Sequence, residues 1–232
     1  MLLKPRRLNT TIAVLFMIGA TGFAVGAVPA YAAAVGALPD ALTFFVASIF
    51  FTSASFAQLI QSQSPAMAAT GSARDRQRQA VRWRAWLPHD RSWLAAATQF
   101  PGTLFFNATT FWAMAQGLSP GRYDRVVWRP DFFGSVLFLV SSAFAVVALG
   151  RFLSWRPRCA GWRIAWLNMV GSVAFMASAI AAFVLPRTGA AVSLTWADGA
   201  TFVGAVCFFA GAWLTIPAFR PAAPVAVDRG HP

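Results

Sequence analysis

The chain has 232 residues, 58% of them hydrophobic and only 11% charged, with a formal net charge of +12. Soluble domains carry about 25% charged residues, and six long apolar runs leave no room for a large soluble domain. The arginines sit between those runs, which assigns them to topology and anionic lipid headgroups and argues against nucleic acid as a partner.

Lys4, Arg6 and Arg7 mark a basic N-terminus (1–9). The first apolar run, about Thr10 to Gly36, reads as a retained helix. Its basic start, Pro29 and the triplet Ala30-Tyr31-Ala32 also fit a cleavable signal, which would leave five helices. Pro39 and Asp40 open the second helix, about Ala41 to Gln63, completing a helical pair over 10–63. A basic loop (64–92) carries Arg74, Arg76, Arg78, Arg82, Arg84 and Arg91. Ala80, Trp83 and Leu87 fall on one helical face there, so the loop reads either as an interfacial helix or as a disordered basic segment. The third helix, about Trp93 to Gly117 with Pro101 inside it, and the fourth, about Asp131 to Gly150, form the second pair (93–150). They are separated by a loop over Ser119 to Pro130. A basic loop (151–162) precedes the last pair (163–220): a fifth helix, Ile164 to Leu185, and a sixth, Asp198 to Ala218. The tail 221–232 reads as disordered.

One nine-residue pattern occurs once in each run: small, small, apolar, any, Phe, any, any, small, small. It begins at Gly19, Ala47, Gly102, Gly134, Gly171 and Gly204, and places Phe23, Phe51, Phe106, Phe138, Phe175 and Phe208 at its fifth position. At about 100° per residue, positions one, two, five, eight and nine share one helix face. Small residues let helix backbones approach closely in lipid, where apolar contact alone drives no association. A Phe on one helix can fill the notch left by Gly or Ser on another. The expected fold is an all-α bundle of six transmembrane helices. A stripe lining a ligand path is the alternative use of the same pattern.

The charges fit that topology. With both termini in the cytoplasm, 15 of the 19 Lys and Arg fall on the inner side and 4 on the outer. Trp83, Trp86, Trp93, Trp155, Trp162 and Trp166 then cluster at the inner boundary and Trp128 and Trp196 at the outer, as an aromatic belt.

Chemistry-bearing residues are sparse. There is no Glu, and none of the seven Asp lies deep in a run. That argues against a proton-coupled transporter or an ion pump. His89 and His231 lie in a loop and the tail, Cys159 and Cys207 fit no metal spacing, and no cofactor or metal site is assembled. Asp40, Asp131 and Asp198 each stand at the outer start of an even-numbered helix. They read as N-caps, with an outward-facing cation site shared by three helices as the alternative. Asn107 and Asn168 are the most polar groups deep in the runs, expected to bond between helices or to line a polar cavity. Gln58, Gln61 and Gln99 are expected at the interface.

The segments NMVGSVAFMASAIAAF from Asn168 and TFVGAVCFFAGAWLTIP from Thr201 resemble the YrhK-like membrane domain, a pair of helices with a repeated Gly-Ser-x-x-Phe pattern. Asn168, Gly171, Ser172, Phe175, Gly204, Phe208 and Pro217 match, and Ala205 departs from the second Ser. The resemblance implies a membrane location and no assigned activity. The stripe and the sparse reactive groups give the expected role, non-enzymatic, through packing, assembly or lipid contact in the cell membrane. A passive carrier for a small neutral or weakly polar solute is the alternative. Membrane lipids are the expected partners, and a homo-oligomer is left open.

Overall fold

Three antiparallel helical hairpins close into a ring in the computed structural model, which describes residues 5–63, 84–115, 117–150, 155–185 and 188–218. The long helices are α1 (Pro5–Gly26), α3 (Ala37–Ser62), α4 (Arg91–Ala113), α6 (Arg129–Ala148), α7 (Ala160–Ala181) and α8 (Leu194–Ala218). Between them lie two short helices, α2 (Pro29–Val35) and α5 (Pro120–Tyr123). The hairpins are α1 with α3, α4 with α6, and α7 with α8. Further contacts of α3 with α4, α6 with α7, and α8 with α1 complete the ring.

Among the described residues, five helical segments are long and apolar enough to cross a membrane: Arg7–Gly26, Ala37–Ser62, Pro120–Ala148, Ala160–Ala181 and Leu194–Ile216. The α4 helix does not meet that measure, because Arg91, Thr98, Gln99, Pro101, Asn107 and several hydroxyl residues dilute its apolar run. It nevertheless places its own repeat in the bundle. Three of its hydroxyls are satisfied within the helix: Thr98 donates to Leu94 O at 2.8 Å, Thr103 to Phe100 O at 2.6 Å and Thr110 to Phe106 O at 2.8 Å.

The repeat builds the core. Every stripe position except Thr109 is buried, and the six repeat phenylalanines meet in one cluster with Ala20, Ala47 and Ala205. Within each hairpin the glycine of one helix faces the ring of the other. A Cβ on Gly171 would lie 3.0 Å from Phe208 and 3.1 Å from the Gly204 carbonyl oxygen. A Cβ on Gly134 would lie 3.0 Å from Phe106 and 3.1 Å from the Gly102 carbonyl oxygen. Gly19 in the same way faces Phe51, and Gly102 faces Phe138.

Between hairpins the second stripe position takes over. Ser48 bonds Thr110 at 3.0 Å across α3 and α4, and Ser142 bonds Ser172 at 2.8 Å across α6 and α7. Ser172 also donates to Phe138 O and Ser135 to Phe175 O. At the seam where α8 returns to α1 the corresponding residues are Ala20 and Ala205, both fully buried and without a hydroxyl.

Several boundaries differ from expectation. The first run divides into α1 and α2 at Pro29, and Tyr31 of α2 bonds Thr43 at 2.8 Å. Gly36, with φ 88°, then turns the chain into α3 in a conformation that favours glycine. The expected loop over 119–130 is helical: α5 passes through a π turn, Asp124–Trp128, straight into α6. Pro130 has no N–H, and the wider turn before it, closed by Arg129 N–H to Asp124 O, absorbs the missing bond. The fifth helix ends at Ala181, and an antiparallel bridge between Val184 and Ala191 follows it. The interfacial helix expected around Ala80 and Trp83, Arg74 to Arg82 and the tail 221–232 lie outside the described residues. Residues 84–87, including Leu87, are not helical.

Gly204→Ala should therefore destabilise the bundle. Its added methyl would meet the Phe175 ring and the Gly171 carbonyl, and overpacking a tight core costs about 1–3 kcal/mol. Gly199, on the same helix, has open space at its Cβ, so Gly199→Ala should be neutral or stabilising. Thermal unfolding of both variants in detergent checks the contrast.

Candidate functional site

At the end of the bundle where α1, α4 and α7 finish, the ring opens into a cavity of about 290 Å³. Asp40 of α3, Asp131 of α6 and Asp198 of α8 all line it, one aspartate from each hairpin. These carboxylates are not N-caps. The helices begin before them: Asp40 is the fourth residue of α3 and Gly36 is its cap, Asp131 follows helical residues that run back to Pro120, and Asp198 is the fifth residue of α8. Proline tolerated in the first turn lets α3 and α6 start earlier than the aspartates suggest. The capping aspartate is Asp90, which the sequence reading passed over. It accepts from Ser92 N–H at 2.8 Å and Trp93 N–H at 3.1 Å.

The three aspartates are half-buried and staggered along the cavity. At about 1.5 Å per residue, Asp131 lies about 4.5 Å along its helix from the start of the stripe. Asp198 and Asp40 lie about 9 and 10.5 Å from it. Asp131 is thus the deepest. Among the described residues no ion pair reaches any of the three. Two basic groups at that end are engaged elsewhere, Arg129 with Asp124 at 2.9 Å and Arg122 over the Trp112 ring at 5.6 Å. Asp40 Oδ1 is buried without a hydrogen-bond partner.

Aromatic rings form the rest of the wall. Phe23, Phe106 and Phe175, one from each hairpin, line the cavity with Phe44 and Trp128. Trp128, expected in the outer belt, is instead held in the bundle by its Nε1–H, which donates to Ala179 O at 2.8 Å. Trp93, expected at the inner boundary, is buried. Most lining hydroxyls are already committed: Ser178 to Ala197 O and Thr201, Thr109 to Val127 O, and Thr110 to Phe106 O and Ser48. Among the described residues no three His, Cys, Asp or Glu side chains stand close enough to hold one metal ion. The cavity therefore offers dispersed carboxylates and aromatic rings, and no compact ligand set among the described residues.

A second, smaller cavity of about 100 Å³ lies at the opposite end. Asn9, Gln58, Gln61, Gln99, Asn168 and Thr215 line it, with Phe16 and Phe208. Asn168 thus faces a polar cavity, and the three glutamines expected at the interface gather around it. Asn107 lines neither cavity, and its Oδ1 is buried without a partner in place of the expected interhelical bond. The repeat residues Gly19, Ala47, Gly102, Gly134, Gly171 and Gly204 serve as the notches of the core.

No family model, curated protein or solved structure matches the chain.

Replacing a true cap should cost stability where replacing a cavity aspartate does not. Asp90→Ala should destabilise by about 1 kcal/mol. Asp131→Ala, which removes a carboxylate without an ion pair from the cavity wall, should leave the melting temperature unchanged or raise it. Parallel thermal melts in detergent decide between them.

Proposed function

We propose that the chain is a six-span, non-catalytic protein of the cell membrane, with both termini cytoplasmic, that binds a small organic cation in the acidic cavity from the outer side. The observation that carries this reading is the convergence of Asp40, Asp131 and Asp198, from three separate hairpins, on one cavity walled by phenylalanine. The sixth span is supported by the place of α4, whose Phe106 packs with the other five repeat rings. The orientation is supported by the 15 to 4 partition of basic residues, which puts the acidic cavity outside. The exposed sides of the helices carry apolar residues such as Val14, Ile49, Leu104, Val140, Val173 and Val206, which suit lipid. The basic segments at the other end suit anionic headgroups. The YrhK-like resemblance of 163–220 enters the proposal as a helical pair and adds no chemistry.

The ligand class follows from the walls. Ring faces attract cations through their quadrupole, and three carboxylates that no described ion pair reaches add charge attraction. Spread carboxylates favour a cation broad enough to face several at once over a small metal ion. A neutral solute draws nothing from the three charges, and a role in packing alone has no use for them.

Tetramethylammonium is a suitable probe, titrated calorimetrically into the purified full chain, with tert-butanol as the uncharged counterpart of similar shape. Tetramethylammonium should bind and tert-butanol should not. A unit charge about 6 Å away contributes about 3 kcal/mol gross at an effective dielectric constant of about 20, part of which desolvation cancels. Asp131→Asn should therefore weaken binding about tenfold. Equal binding of both probes, or affinity unchanged by Asp131→Asn, would remove the cation reading.

A further inference from the structure

We propose that the six repeat phenylalanines form a closed gate between the acidic cavity and the amide-lined cavity, so that the protein conducts the cation it binds. This rests on the cation-binding reading above and adds a path to it.

The walls of the two cavities touch through one ring from each. Phe175 lines the acidic cavity and Phe208 lines the amide cavity, and their ring centroids are 5.2 Å apart. One pair of touching rings is thus all that separates the two walls at that point. The rings fall into two tiers. Phe23, Phe106 and Phe175, from the helices that run toward the acidic end, form its floor, with Phe175 touching both others at 5.8 Å. Phe51, Phe138 and Phe208, from the helices that run back, close a triangle beneath, with centroids 5.6 to 6.4 Å apart. Each hairpin links the tiers through one pair: Phe23 with Phe51, Phe106 with Phe138, and Phe175 with Phe208. Phe138, 1% exposed, is the largest of the fully buried side chains.

The chemistry on the two sides suits passage in sequence. The acidic chamber collects a cation. The rings can face it as it passes, because an aromatic face tolerates a cation better than an aliphatic wall does. The far chamber offers the side-chain amides of Asn9, Gln58, Gln61, Gln99 and Asn168, whose carbonyl oxygens can accept a cation's hydrogens or face its charge without holding it as tightly as a carboxylate. A gate that is apolar and closed at rest also keeps water and small ions from leaking across.

The experiment reconstitutes the full chain in liposomes and follows uptake of radiolabelled tetramethylammonium, with calorimetric binding measured on the same preparations. Wild type should show uptake above empty liposomes, and Phe138→Ala should raise the rate at least tenfold while changing affinity less than threefold. Asp131→Asn should lower both binding and uptake. Phe138→Leu, which keeps an apolar side chain in place, stands in if the alanine variant does not fold, and should raise uptake severalfold. Binding without uptake in wild type and in a folded Phe138 variant would overturn the gate and leave the binding reading standing. Uptake that Phe138 substitution does not change would also overturn the gate. Loss of both binding and uptake in wild type would overturn the two proposals together.

Discussion

Each long helix gives one ring to a shared core, and in the closest contacts that ring sits in the notch its hairpin partner leaves by having glycine or alanine at the start of the stripe. For helices in lipid this contact has to be close, because burying an apolar group against lipid or against protein removes no water. What is gained comes from van der Waals contact at short range and from hydrogen bonds across the interface. The arrangement supplies both, and hydroxyls also bridge within hairpins, Ser141 to Ala95 O and Ser178 to Ala197 O. Ring and notch hold α1 to α3, α4 to α6 and α7 to α8, while the hydroxyls of Ser48, Ser135, Ser142 and Ser172 hold one hairpin to the next. The closing seam is the exception. Ala20 and Ala205 meet there without hydroxyls, beside an apolar groove lined by Ala24, Val28, Phe202 and Phe209.

Closure of three similar hairpins has a geometric consequence. A residue placed at similar register in each hairpin comes near its counterparts around the common axis. The three aspartates, one to two turns before the stripe in α3, α6 and α8, therefore end on one cavity. The same logic sorts the rings. Phenylalanines on the helices running one way face the acidic end, and those on the helices running the other way form the tier beneath. Two ends of different chemistry follow from antiparallel pairing of one repeat.

The core was legible because its signal is local. Small residues and one Phe at fixed spacing mark a face by themselves, and a face that small has to meet another. Convergence of the aspartates depends on how each helix is rotated and on the order in which hairpins close, neither of which a single segment encodes. Each aspartate also sits beside a plausible helix start, so capping explained it locally, while the real cap at Asp90 drew no notice ahead of Trp93. The polar stretch 119–130 reads as a loop by composition, and only the π turn before Pro130 makes it helical. The amides of Gln58, Gln61 and Gln99 read as interfacial because they lie near helix ends, and the fold turns those ends inward around Asn168.

Buried polar atoms without a partner are few among the described residues and are not confined to the acidic cavity, since Ser55 Oγ, Gln63 Oε1, Trp93 Nε1 and Asn107 Oδ1 join Asp40 Oδ1. An orphaned buried acceptor costs about 1–3 kcal/mol, and a bundle held by a few close contacts has little to spare. Most buried hydroxyls here avoid that cost by bonding a carbonyl one turn back or a neighbouring helix. Asp40 does not. One of its oxygens is buried without a partner, on a cavity that holds two further carboxylates and no described cation. Three unopposed carboxylates facing one chamber raise the energy of the unliganded state, and a cation entering that chamber lowers it. Under the proposed reading, a bound cation would offset that cost. In the same proposal the rings beneath the chamber are what a bound charge would meet next.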